Sequence, residues 1–186
     1  LIVYINISMQ PLGILINGID PSLGKVDKHS FSQQTLMELF IDGVEHKSRI
    51  YGDSDTPSDI SEWSGVTMND TNDIIGISWN DFNLEGAIDL QWLAMTMEDV
   101  DVVQNKLEGS LNLTGLPPVL SSLNVASNHF CGEIDLTSLP EVMNFLDVSE
   151  NRLSGSVCLE HLPEKLETMR LNKNQFSGSL NLTSLP

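Results

Sequence analysis

From Asn105 onward, apolar and polar positions recur with a period of 23 residues. Three asparagines (Asn128, Asn151, Asn174) and three glycines (Gly132, Gly155, Gly178) keep that spacing. So do the apolar columns Leu123, Leu146, Met169; Val125, Val148, Leu171; and Phe130, Leu153, Phe176. Each unit reads L-x-x-L-x-L-x-x-N-x-L, as in Leu120-x-x-Leu123-x-Val125-x-x-Asn128-x-Phe130. The alternating Leu123 and Val125 predict a short strand with its apolar side inward. The Asn128 amide suits bonding to the backbone of the turn it starts. Gly132 suits a left-handed or closely approached backbone, where a Cβ would clash. The returning segment Leu136-Thr-Ser-Leu139-Pro140 adds two core leucines, and proline ends any helix there. The pattern therefore predicts short strands with an irregular or single-turn return and few helices. One such unit cannot cover its own apolar side, so stability must come from stacked neighbours.

Upstream, Val100, Val102, Asn105, Leu107 and Gly109 form another copy. Ile75, Ile77, Asn80 and Phe82 fit the strand half of an earlier one. Gly86 then falls two residues late, giving that unit a length of 25. Before Asp73 the pattern ends. Ser32 to Phe40 reads as an amphipathic helix with Leu36, Met37 and Phe40 on one side and Ser32 as N-cap. Tyr51 to Glu62 is polar and acidic and reads as loop, followed by Trp63-Ser-Gly65-Val66-Thr67. Leu1 to Ile7 is apolar but too short to span a membrane. The chain starts at Leu1 and stops at Pro186, just before its next strand is due, which reads as a piece of a longer protein.

The 23-residue unit resembles the leucine-rich repeat. Leu-Ser-Gly-Ser-Val at 153–157 and Phe-Ser-Gly-Ser-Leu at 176–180 match the L-x-G-x-I segment of plant receptor-type and protist members, without the proline that usually follows. The helix, loop and W-x-G-V-x order resembles the N-terminal cap of those receptors. The resemblance implies an α/β fold: a right-handed solenoid with parallel strands on its concave face, an irregular convex side and a short helical cap. The expected organisation is an unassigned leader at 1–31, the cap at 32–73, and about four and a half repeats at 74–186. Where the family cap carries two cysteines, this chain has Ser61 and Met68, so the resemblance implies a cap without a disulfide.

Composition narrows the partners. The formal net charge is −17, with no Lys or Arg from Gly52 to Val103 and twelve Asp or Glu between Asp53 and Asp101. Such a surface repels phosphate backbones and anionic membranes and attracts a basic partner. Membrane attachment would have to come from segments outside this chain. Asp53-x-Asp55-x-x-x-Asp59 fails the EF-hand template, because Pro57 and Ser58 replace a ligand and the glycine. The two cysteines, Cys131 and Cys158, occupy different repeat positions and read as free thiols. Asn6, Asn69, Asn112 and Asn181 each head a glycosylation sequon, although the repeat itself generates such tripeptides. The sequons favour an extracellular or surface location and the cysteine-free cap a cytoplasmic one, which leaves extracellular or cell surface slightly favoured over cytoplasmic.

Catalysis needs convergent groups, and the sequence supplies none. The four histidines are scattered, and no nucleophile, phosphate-loop or metal motif occurs. No catalytic, cofactor or metal residue is expected, and no small-molecule substrate is evident. The outward strand positions form four columns on the concave face. The first holds Ile74, Asp99, Ser122, Phe145 and Thr168. The second holds Gly76, Asp101, Asn124, Asp147 and Arg170. The third holds Ser78, Val103, Ala126, Ser149 and Asn172. The fourth holds Trp79, Gln104, Ser127, Glu150 and Lys173. Phe145 and Trp79 would be its exposed aromatics, although Trp79 could equally belong to the cap. The expected function is recognition of a protein or peptide through Asp99, Asp101, Ser122, Asn124, Phe145, Asp147, Glu150, Thr168, Arg170 and Lys173, as part of a receptor-like or surface protein. The rivals are an intracellular scaffold of the same fold and the sensor part of a longer enzyme such as a receptor kinase.

Overall fold

The computed structural model describes residues 28–53 and 56–178. Most of the 1–31 leader, the 179–186 segment, Asp55, Asn6 and Asn181 lie outside the described residues. The chain divides into two compact units, Leu1–Phe31 and Ser32–Pro186. In the first, Lys28–Ser30 forms a 3-10 turn.

The second unit begins with α1 (Gln33–Phe40), β1 (Val44–Glu45) and α2 (Ser48–Tyr51), then a 3-10 turn at Ile60–Glu62. Strands β2 (Val66–Met68), β3 (Ile74–Ser78) and β4 (Glu85–Gly86) follow, then a 3-10 turn at Leu90–Trp92. The remaining strands are β5 (Asp99–Asp101), β6 (Lys106–Ser110), β7 (Ser122–Asn124), β8 (His129–Gly132), β9 (Phe145–Asp147), β10 (Arg152–Gly155), β11 (Thr168–Arg170) and β12 (Gln175–Phe176). They form two six-stranded sheets: β11-β9-β7-β5-β3-β2, and β1-β4-β6-β8-β10-β12. Neighbouring rungs pair in parallel, and the cap strands β2 and β1 close one end antiparallel. This is a parallel-strand β-solenoid of leucine-rich repeat type. Its second row of strands, just past each repeat asparagine, goes beyond what the periodicity announced.

Each rung sends three apolar side chains inward. Ile77, Val100, Leu123 and Leu146 form one column, Trp79, Val102, Val125 and Val148 the next, and Leu84, Leu107, Phe130 and Leu153 the third, all within 1% of complete burial. This register corrects the sequence alignment of the first unit. Ile77 stands opposite Val100, and Trp79 N–H donates to Asp101 O just as Val102 N–H donates to Asn124 O. The unit is thus 23 residues long, as 77 to 100 and 79 to 102 show. Trp79 occupies an inward slot that valine fills elsewhere, Phe82 stands at the asparagine position, and Asn80 is an exposed surface residue.

The repeat asparagines join neighbouring rungs. Asn128 Nδ2 donates to Val125 O (3.2 Å) and Ala126 O (3.1 Å) of its own turn and to Val102 O (3.0 Å) of the rung before. Its Oδ1 accepts from Leu107 N–H at 3.0 Å. Asn105, Asn151 and Asn174 repeat the arrangement. An amide is required because the site needs a donor and an acceptor on one buried side chain. The residue before each asparagine turns left-handed: Gln104, Ser127, Glu150 and Lys173 have φ of 58°, 54°, 56° and 56°. Asp81 holds the same position in the first rung, at 57°.

The cap closes the apolar end without a disulfide. Ser32 Oγ accepts from Thr35 N–H and starts α1, whose Leu36, Met37 and Phe40 are buried. Gln33 accepts from Ile74 N–H (2.5 Å) and Gln34 from Ile60 N–H (2.7 Å), tying the helix to β3 and to the loop. Part of the expected 51–62 loop is ordered into a turn because Asp59 caps Ser61 N–H and Ile60 is buried. Trp63 is buried and donates to Ser58 O at 3.0 Å. Gly65 is required by close approach: its φ is +73°, and a Cβ would lie 2.3 Å from Ser78 O.

Candidate functional site

The outward positions of the first sheet align as Gly76, Asp99, Ser122, Phe145, Thr168 and as Ser78, Asp101, Asn124, Asp147, Arg170. All ten candidate residues therefore fall on one face of this sheet or on the bend that follows its strands. Trp79 does not. It is fully buried, stacked on Phe40 with ring centroids 6.0 Å apart, and donates its indole N–H to Ser64 O at 2.7 Å. Ile74, also fully buried, leaves the face as well; Ser78 stays on it one column earlier, and Asn80 and Asp81 join it, all three exposed. The signal that could have found them was the 23-residue spacing from Asp81 to Gln104.

The second column has work within the fold. Asp101, Asn124 and Asp147 each accept the backbone N–H two residues on, from Val103, Ala126 and Ser149. Such side-chain turns fix the bend at the strand end. Asp147 goes furthest: it is 5% exposed, and its Oδ1 also accepts from the Ser149 hydroxyl at 2.5 Å. Its Oδ2 takes the Arg170 guanidinium at 3.2 Å. Asp147 is thus a supporting residue more than a contact surface.

Phe145 lies between Ser122 and Thr168 and is half-buried. The Arg170 guanidinium carbon sits 5.8 Å from its ring centroid. That distance is within the range of cation–π attraction. Arg170 is thereby held by Asp147 on one side and the Phe145 ring on another. On the adjoining bend, Lys173 Nζ contacts Glu150 Oε1 at 2.6 Å, and Ser127 Oγ lies 3.3 Å from Glu150 Oε2. The Lys173 hydrogen bond holds the Glu150 carboxyl below its ordinary value. Both side chains are largely exposed, so this pair adds little stability. The opposite end of the face differs. Asp81, Asp99 and Asp101 make no salt bridge among the described residues, so its net field is negative.

Away from this face, the sequon residues Asn69 and Asn112 are exposed in turns. Cys131 and Cys158 are free and exposed. Among the described residues no three His, Cys, Asp or Glu side chains gather as a metal site, and no helix is long and apolar enough to cross a membrane.

Solved structures similar to this chain include plant leucine-rich repeat receptor ectodomains. A chain of the BIR3–SERK2 complex from Arabidopsis thaliana is 24% identical, with a TM-score of 0.68 over 80% of this chain and 85% of that one. The Arabidopsis BIR2 ectodomain is 25% identical, with a TM-score of 0.65 over 79% and 82%. A chain of the complex of the Arabidopsis receptor kinase HAESA with the peptide hormone IDA and the co-receptor SERK1 is 20% identical, with a TM-score of 0.61 over 78% of this chain and 30% of that one. No family model and no curated protein matches the sequence. Fold, repeat chemistry and neighbours together define a leucine-rich repeat solenoid that is similar to receptor ectodomains.

Proposed function

We propose that the chain is a receptor-like recognition module that binds a protein or peptide of basic character on the outward face of the first sheet. One observation carries the reading. The face spans five parallel rungs, with carboxylates at Asp81, Asp99 and Asp101 that make no salt bridge among the described residues and a half-buried aromatic at Phe145, while its cations Arg170 and Lys173 are paired within the fold. A basic segment lying along it would meet uncompensated negative charge at one end and an apolar anchor in the middle. Aromatic anchors of this type dominate binding energy at interfaces. Similar folds crystallised as the BIR3–SERK2 complex and as HAESA with a peptide hormone support the choice of partner class. An intracellular scaffold of the same fold is the second reading, favoured by the exposed thiols of Cys131 and Cys158.

The test is to pan a displayed random-peptide library against the chain. Enriched peptides should carry Lys or Arg beside an apolar residue and bind more weakly as salt rises. They should lose affinity for Phe145→Ala and for Asp99→Asn while both variants keep the parent unfolding temperature. Enriched peptides that bind both folded variants at parental strength would overturn this choice of face.

A further inference from the structure

We propose that Asn112 is a site of N-glycosylation, with its Nδ2 joined to an oligosaccharide. Asn112-Leu113-Thr114 is an acceptor sequon. It lies in the returning segment between β6 and β7, outside the strands of the first sheet. Leu113 is fully buried, while Asn112 and Thr114 on either side of it are exposed. The buried leucine anchors the turn and leaves the sequon side chains at the surface.

The fold uses only half of the Asn112 amide. Its Oδ1 accepts from Thr114 N–H at 3.0 Å and from the Thr114 hydroxyl at 2.7 Å. One repeat later, Asp135 makes the same turn with Thr137, at 2.9 Å and 2.6 Å. A carboxylate oxygen therefore serves this position as well as an amide oxygen, and the turn has no use for an NH₂ group. The Asn112 Nδ2 makes no hydrogen bond among the described residues. Asn69 is different. Its Oδ1 takes three donors and its Nδ2 reaches Asp73 Oδ2 at 3.4 Å, so a glycan there would disturb a contact that the fold uses.

The donor is a lipid-diphosphate-linked oligosaccharide. The Nδ2 lone pair forms a bond to the anomeric carbon, and the bond from that carbon to the diphosphate oxygen breaks. The lipid diphosphate leaves with the electron pair, and one amide proton passes to a base of the transferase. The product keeps one N–H and an intact Oδ1, so both Thr114 hydrogen bonds survive. The inference rests on the receptor-like reading, under which the chain meets the transferase, and not on which face binds a partner.

The experiment uses the native full-length protein, treated with peptide N-glycosidase in heavy-oxygen water and mapped by peptide mass. Residue 112 should be recovered as isotopically labelled aspartate in most copies. Recovery of unlabelled Asn112 from the native protein overturns the proposal. Asn112→Asp, expressed in the same cells, should lose one glycosidase-sensitive mobility step and keep its unfolding temperature. Retention of every step would also overturn it.

Discussion

Trp79 fills the space between the cap and the first rung, its ring stacked on Phe40 and its indole N–H on the Ser64 carbonyl. One side chain thus joins three segments: helix α1, the turn before β2, and the end of β3. With no disulfide among the described residues, the cap depends on this packing and on the Gln33 and Gln34 bonds.

Removing that ring should open the apolar end of the solenoid. Trp79→Ala is expected to cost about 3–5 kcal/mol, as large-to-small changes at buried aromatics do. Trp79→Phe keeps most of the packing but orphans the Ser64 carbonyl, with an expected loss of about 1–3 kcal/mol. Urea unfolding measures both. Equal losses in the two variants would show that ring volume carries none of the effect.

Asn128→Ala should be among the most damaging changes within the repeats. It leaves Leu107 N–H and the carbonyls of Val102, Val125 and Ala126 without their side-chain partner. The expected cost is about 2–4 kcal/mol. Asn172→Ala, at an exposed position, should stay within ~0.5 kcal/mol of the parent. A thermal denaturation series that fails to separate the two would contradict the ladder's role.

The Glu150–Lys173 pair should give the chain an acid-sensitive margin. The Glu150 carboxyl is lowered by the hydrogen bond and charge of Lys173, opposed by the nearby Asp147 charge. A group with a depressed folded value stabilises above its unfolded value, 4.5 for Glu, and loses that contribution as pH falls through the lower folded value. Below the unfolded value the unfolded chain takes up its proton first, and the balance moves toward it. The unfolding temperature of Glu150→Gln should therefore fall less steeply than the parent's from about pH 5 to 3. Parallel curves would remove Glu150 from the account.

The sequence by itself determined the solenoid. Strand positions such as Leu123 and Val125, the asparagine turns and the glycine positions all follow from a side-chain period that each rung repeats in a nearly identical environment. The N-cap at Ser32 and the buried face of α1 were legible for the same reason, since both are local. The columns from Asp99 to Thr168 could be read because the period is unbroken there. Only the tertiary structure decided the first rung, where Trp79 replaces a valine and Phe82 replaces the asparagine, so local letters no longer mark the register. It also decided that Asp147 is buried beneath Arg170 and that a second row of strands follows the first. These depend on pairing between residues 23 apart in the first row and 21 apart in the second, and a backbone ladder between rungs leaves no mark on the identity of any one residue.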